Sequence, residues 1–238
     1  MQQSHRPYRW AAALLLQSLL AAGALGQQTY ISRYDLFGGY TYLNSPVVSL
    51  SESGFHTQAG VRPVGWLAIG FDYSVATGDL SVTPNLLLPS LQQGLGAQLQ
   101  QLVAAGAIPA SYKLVAPASS FTQTFAGGPE LLFHHWKPVT LFLRPSVGII
   151  HETATIKLTD PIETLIVHAL APTGKKTDHV IFYGFGGGID LNFSKHVILR
   201  IQGDFVRDHL FDDLLASSRN TVRLSIGPAF EFGKNIAK

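Results

Sequence analysis

Apolar and polar side chains alternate with a period of two along most of the chain, in eight separate runs. In WLAIGFDYSV (66–75), Leu67, Ile69, Phe71, Tyr73 and Val75 share one face, and Trp66, Ala68, Gly70, Asp72 and Ser74 share the other. TLFLRPSVGIIHE (140–152) sets Leu141, Leu143, Pro145, Val147 and Ile149 against Thr140, Phe142, Arg144, Ser146 and Gly148. VILRIQGDFVRD (197–208) and NTVRLSIGPAFEF (220–232) repeat the scheme, again with their charges on the mixed face. A period of two is the mark of a strand with one apolar face. RYDLFGGYTYL (33–43), GFHTQAGVR (54–62), FTQTFAGGPELLFH (121–134) and VIFYGFGGGIDLN (180–192) complete a set of eight predicted strands. Most are longer than the usual 5–6 residues and reach the roughly 9–11 that cross a bilayer when tilted.

The connections alternate too. PVG, HWKP and FSKH are tight, whereas NSPVVSLSES, two longer segments and HLFDDLLASSR are extended. In an even-numbered antiparallel meander this puts all the long loops at one end and all the short turns at the other, as in outer-membrane barrels. A soluble barrel would turn the same strands inside out, with the apolar face around a ligand and the mixed face in water. Periodicity alone fits both. Loop alternation and strand length favour the membrane, and so does the N-terminus. MQQSHRPYRW is basic, AAALLLQSLLAAGAL is a short apolar run, and ALG precedes QQT. This is the layout of a signal peptide cleaved after Gly26, too short for the ~20 apolar residues of a spanning helix. The expectation is a signal peptide over 1–26 and a β-barrel over 27–238.

Composition narrows the chemistry. Charged residues make up only 13% of the 238 and hydrophobic ones 46%, with a formal net charge of +2 and no Cys. The mean hydropathy is +0.19. No basic cluster supports a nucleic-acid partner, and disulfides, thiolate catalysis and thiol-ligated metals are excluded.

Parity places Asp72, Glu130, Asp190, Asp204 and Glu231 on the mixed face with Arg62, Arg144, Arg200 and Arg223. A turn that sets His134 opposite Thr140 brings Glu130 opposite Arg144. One that sets Asn192 opposite Ile198 brings Asp190 opposite Arg200. Similar closure of the second hairpin makes His56 the nearest cross-strand neighbour of Asp72. Such neighbours stand ~5 Å apart at Cβ, close enough to pair. The charges could constrict a narrow channel. The preferred reading is a structural plug, because side chains just fill an eight-stranded interior and buried charges must be paired.

GFGGG (184–188) lacks the spacing and following helix of a dinucleotide loop, so its glycines are expected to make room inside a narrow barrel. The nine histidines are scattered, and neither HH (134–135) nor HETAT (151–155) gathers a metal or catalytic set. In the second long loop, Leu91, Leu95, Leu99 and Leu102 recur at helical spacing between Pro89 and Gly106. They predict an uncharged helix that covers the barrel mouth or meets a membrane surface or partner. Trp66, Trp136 and Phe133 at the short-turn end, and Tyr40, Tyr42 and Tyr73 toward the other, suit two interfacial aromatic girdles.

GFGGGIDLNFSKHVILRIQGDFVRDHLF followed by NTVRLSIGPAFEFG resembles the closing strands of small bacterial outer-membrane β-barrels of the OmpA type, and FGGYTYL resembles their opening strand. The resemblance covers roughly residues 31–233. It implies an all-β fold, an eight-stranded antiparallel up-and-down transmembrane β-barrel, in a bacterial outer membrane. Two features depart from it. Phe232 is followed by GKNIAK where such barrels usually end on an aromatic residue, and no peptidoglycan-binding domain follows. Pro129, Pro145 and Pro228 lie within strands, where they are expected to mark bulges.

The expectation is therefore a non-enzymatic barrel with a structural or surface-interaction role. Its lumen charge network comprises Asp72, Glu130, Arg144, Asp190, Arg200, Asp204, Arg223 and Glu231. No catalytic residue, metal or cofactor is expected. The expected partners are outer-membrane lipid and lipopolysaccharide, the barrel-assembly machinery and a surface ligand at the loops. The alternatives are a narrow channel for small solutes, a lipid-A-modifying barrel enzyme and a secreted ligand-binding barrel.

Overall fold

The computed structural model describes residues 28–157 and 172–237; the expected signal peptide lies outside them. Eight antiparallel strands run in chain order: β1 (Ser32–Ser45), β2 (Leu50–Val64), β3 (Leu67–Val82), β4 (Ala116–Trp136), β5 (Val139–Ile156), β6 (Lys175–Asn192), β7 (Val197–Asp208) and β8 (Arg219–Asn235). Each pairs with its neighbours in sequence, and β8 pairs with β1, so the sheet closes into an up-and-down barrel with no free edge. Among the described residues one α-helix, α1 (Pro89–Ala104), lies in the loop after β3. Pro89 starts it, a place where a missing N–H costs nothing, and Gly106 follows it with φ +70°.

The period-two pattern folds with its apolar face outward. Phe71 is 67% exposed and Ile181 74%, whereas Arg62, Arg144 and Arg200 are fully buried. This reverses a soluble barrel. A continuous apolar exterior of this kind is costly in water and suited to hydrocarbon, with the polar side chains inside. The strands fit that setting because a closed sheet satisfies every ladder group internally. Among the described residues no helix is long and apolar enough to cross a membrane.

Most strands overrun the expected ranges at the long-loop end. The first connection there shrinks to residues 46–49, a single 3-10 turn over Pro46–Val48. NSPVVSLSES is thus mostly strand. Leu43 and Leu50 are buried, while Tyr40 and Tyr42 hydrogen-bond outside to Ser53 and Ser51 at 2.7 and 3.0 Å. The short turns are residues 65–66, 137–138 and 193–196.

Pro129, Pro145 and Pro228 do not mark bulges. Register shifts occur instead near Arg33, between Val61 and Val64, and between Phe133 and Trp136, all at the short-turn end. Pro129 and Pro145 stand opposite one another across β4 and β5, where pairing lapses and then resumes in the same register. Each keeps its pairing on the other side, Pro129 with Ile69 and Pro145 with Phe185. Pro228 behaves likewise, paired to Leu199 on β7 while the β1 side lapses. In an antiparallel ladder a residue directs its N–H and C=O to one neighbour only. Two prolines facing each other therefore leave one shared gap.

Candidate functional site: a charged lumen

Inward-facing side chains fill the barrel in charged tiers. At the short-turn rim, Arg62 Nη2 lies 2.7 Å from Glu231 and 3.7 Å from Asp35. Its Nη1 donates to the Ser32 carbonyl at 3.1 Å. Next, Arg200 donates through Nε and Nη2 to the two oxygens of Asp190 at 2.8 and 2.9 Å, and through Nη1 to Asp35 at 3.3 Å. Its guanidinium carbon lies 4.9 Å from the Phe142 ring centre and 5.9 Å from that of Phe37. Two aromatic faces thus steady a planar cation already bound in fork geometry.

In the following tier Arg144 closes on Asp72, with Glu130 3.7 Å from its Nε and Gln58 accepting from its Nη1 at 3.4 Å. Gln58 also donates to Glu130. Above it, Arg223 donates to Asp204 at 3.0 Å and to Asp72 and Ser74 at 3.3 Å each. Gln202 donates to both oxygens of Asp204. His56 sits between Ser225, 3.0 Å from Nδ1, and Asp72, 3.5 Å from Nε2. Nearest the long loops, Arg219 donates to Glu152 at 3.1 and 2.6 Å and to Asp208 at 3.2 Å. Glu52 accepts from Thr122 there at 2.8 Å.

The structure thus brings together Asp72, Glu130, Arg144, Asp204 and Arg223 in the middle tiers and Asp190 with Arg200 below. Glu231 stands apart at the rim on Arg62. Asp190 is opposite Arg200, with Asn192 opposite Ile198. The second hairpin differs from expectation: Gln58, not His56, is opposite Asp72, and His56 is opposite Ser74. The turn closes over Gly65 and Trp66, with Val64 opposite Leu67, rather than over Pro63–Gly65, and a one-residue shift between Val61 and Val64 then sets the rest of the ladder. Asp35, Glu52, Glu152, Asp208, Arg219 and Gln58 are further lumen residues. Parity along their strands points Asp35 and Gln58 inward. Glu152, Asp208 and Arg219 escaped notice because they stand at strand ends next to loops.

Glycines make the tiers fit. A Cβ on Gly188 would lie 2.3 Å from the Ile201 carbonyl oxygen and 2.6 Å from the Phe142 ring, and one on Gly186 would lie 2.0 Å from Asp204. The GFGGG run gives its volume to Phe142 and Asp204. His134 bonds to Thr140 at 3.1 Å and His135 stacks edge-on against Trp136. No group of three or more metal-type ligands forms among the described residues.

The long-loop mouth is apolar. Val48, Leu50, Leu80, Ile150, Phe182 and Val206 pack with Leu210, Phe211 and Leu215 from the loop after β7. Leu87, Leu95 and Leu114 form a second cluster beneath α1, with Leu91, Leu99, Leu102 and Leu214 against it. The loops after β3 and β7 are stitched together: Leu88 N donates to Leu214 O at 2.8 Å, and Ala216 N to Leu86 O at 2.9 Å. A cavity of about 90 Å³ remains under them, lined by Leu80, Val82, Leu87, Phe211 and Leu215 among others.

No protein-family profile and no curated protein matches the sequence. Solved structures do match the fold. Neisserial surface protein A is 11% identical with a TM-score of 0.50, covering 84% of this chain and 96% of that one. Ail of Yersinia pestis, solved with the heparin analogue sucrose octasulfate, is 10% identical with a TM-score of 0.47, covering 84% and 97%. The outer membrane protein OprG of Pseudomonas aeruginosa is 7% identical with a TM-score of 0.47, covering 86% and 98%. Closed topology, an apolar exterior and a charged interior, together with the likeness to neisserial surface protein A, give this chain the fold of the small eight-stranded outer-membrane barrels.

Proposed function

We propose that this protein is a non-enzymatic barrel of a bacterial outer membrane whose interior is a structural plug and whose long-loop end is its interaction surface. One observation carries the reading: five arginines, Arg62, Arg144, Arg200, Arg219 and Arg223, are buried at successive depths and each is held by carboxylates of other strands. A conducting lumen keeps such groups in water, whereas here they occupy the interior that eight strands enclose. The mouth supports the second half. Helix α1 and the stitched loops present a shaped, largely uncharged surface anchored on leucines, and the barrel holds it at the long-loop end.

Planar-bilayer recording of the purified barrel tests this. Electrical silence is expected. Stable unitary currents would overturn the plug and favour the narrow channel. That channel would be cation-selective, since carboxylates outnumber guanidiniums along the lumen.

A further inference from the structure

At the short-turn end, the turn joining β4 to β5 and the turn joining β6 to β7 enclose a polar cleft of about 350 Å³. Lys137 and Lys195 line it, with Asn192, Ser194, Tyr30 and one carboxylate, Glu231, which Arg62 neutralises. The turns that carry the lysines are fixed. Asn192 Nδ2 donates to the Lys137 carbonyl at 3.2 Å, and Ser194 Oγ accepts from the His196 and Val197 amides at 3.2 and 3.0 Å. Among the described residues neither lysine has a carboxylate within ion-pair distance, and Lys195 lies 5.8 Å from the Tyr30 ring centre.

Among the described residues, charge around the rim is mostly basic. The exposed ionisable groups are Arg33, Lys137, Lys195 and Lys234, with His135 and His196. Of the nearby acids, Asp35, Glu130 and Asp190 are buried, and Glu231, which lines the cleft, is held by Arg62 at 2.7 Å. Arg33 comes across the β1–β8 seam from Gly233 and Lys234, so two like charges adjoin with no acid between them. Like charges facing across a ladder repel unless an anion is supplied. The opposite end differs. There Lys157 pairs with Asp79 and Lys176 with Asp213, and the two signs cancel.

We propose that the short-turn cleft binds the phosphate of an anionic phospholipid headgroup, with Lys137 and Lys195 on the phosphate. The aromatic side chains commit the site to lipid over a free anion. Phe193, 70% exposed, and Trp136, 43% exposed, flank the lysines at the edge of the apolar belt, where aromatic rings sit at headgroup level. The proposal rests on the barrel spanning a membrane. Altered gel mobility of the unboiled barrel tests that premise separately, so the two can fail independently.

The two tryptophans outside the expected leader, Trp66 and Trp136, both stand at this rim. Their quenching by brominated phosphatidylglycerol, compared with brominated phosphatidylcholine, reads the relative binding constant directly. A basic residue near an anionic surface contributes about five-fold, so wild type should prefer phosphatidylglycerol by roughly 20-fold. The preference should fall toward unity in Lys137→Gln/Lys195→Gln and persist in the long-loop control Lys113→Gln/Lys175→Gln. No preference in wild type, or an equal loss in both double variants, would overturn the site. Loss of the preference in 10 mM inorganic phosphate, on the order of a single-anion Kd, would overturn its assignment to lipid.

Discussion

Arg200 offers the sharpest test of the plug. It is fully buried, makes three hydrogen bonds of 2.8, 2.9 and 3.3 Å to Asp190 and Asp35, and lies between two rings. Replacing it with methionine keeps the length and the ring contacts but strands the carboxylates. Asp35 retains Arg62 at 3.7 Å, whereas Asp190 has no second cation within ion-pair distance among the described residues. Breaking a buried pair from one side costs about 3–5 kcal/mol, because an uncompensated charge is left inside. Removing both charges costs much less. The double variant Asp190→Asn/Arg200→Met should therefore recover most of the loss, about 2–3 kcal/mol of it. The assay is urea unfolding of the barrel in phosphatidylcholine vesicles, followed by Trp66 and Trp136 fluorescence. Arg200→Met within about 1 kcal/mol of wild type, the range of a solvated pair, would refute the reasoning. So would a double variant no more stable than the single one. Either result would place water around Asp190.

Two further outcomes follow from the packing. Gly188→Val would push a side chain into the Ile201 carbonyl and the Phe142 ring, where even a Cβ would lie at 2.3 and 2.6 Å. Overpacking of this kind costs about 1–3 kcal/mol or more, and the folded, heat-modifiable band should weaken on gels while Gly94→Ala, with open space around it, leaves the band intact. Pro129→Ala/Pro145→Ala should close the β4–β5 gap by restoring two donors, each bond contributing about 0.5–1.5 kcal/mol. The new amides at 129 and 145 should then exchange slowly with deuterium; fast exchange would show that the gap has another cause.

Much of the architecture is legible in the sequence because a strand's period of two does not depend on what surrounds it. WLAIGFDYSV shows which side chains share a face, and the placement of Asp72 and Arg144 shows which face is charged. Which face meets lipid is not in the period at all; it came from strand length and loop alternation. Register was readable where a turn is simple. Asn192 stands opposite Ile198 across the short connection between β6 and β7, as its sequence predicts. The register reading failed at the second hairpin, where β2 runs on through Pro63 to Val64 and the turn closes over Gly65 and Trp66 instead of over PVG. The prolines misled in the other direction, since Pro129 and Pro145 are tolerable only because they face each other, a relation between strands. Glu52 and Arg219 were hidden for a different reason. They belong to strand extensions at the long-loop end, where Leu50 of the extended β2 packs with Phe211 and Leu215 from a loop that carries no strand pattern.

Half of the arginine–carboxylate pairs of the lumen join strands that are not neighbours in the sheet. Asp72 on β3 is held by Arg144 on β5 and Arg223 on β8, Asp35 on β1 by Arg200 on β7, and Glu152 on β5 by Arg219 on β8. A half-built sheet of β1 to β4 would hold Asp35, Glu52, Asp72 and Glu130 with Arg62 as its one lumen arginine, and β5 to β8 would hold the other four with Glu152, Asp190, Asp204, Asp208 and Glu231. The first half alone carries an acidic excess, with Asp35 and Asp72 lacking the arginines of the second half that hold them, and hydrocarbon tolerates such charge poorly. Joining the last strand to the first therefore closes two circuits at once, the backbone ladder and the ion pairs that cross the lumen. The two halves are coupled by charge as well as by hydrogen bonds: arginines of the second half complete the acidic first half.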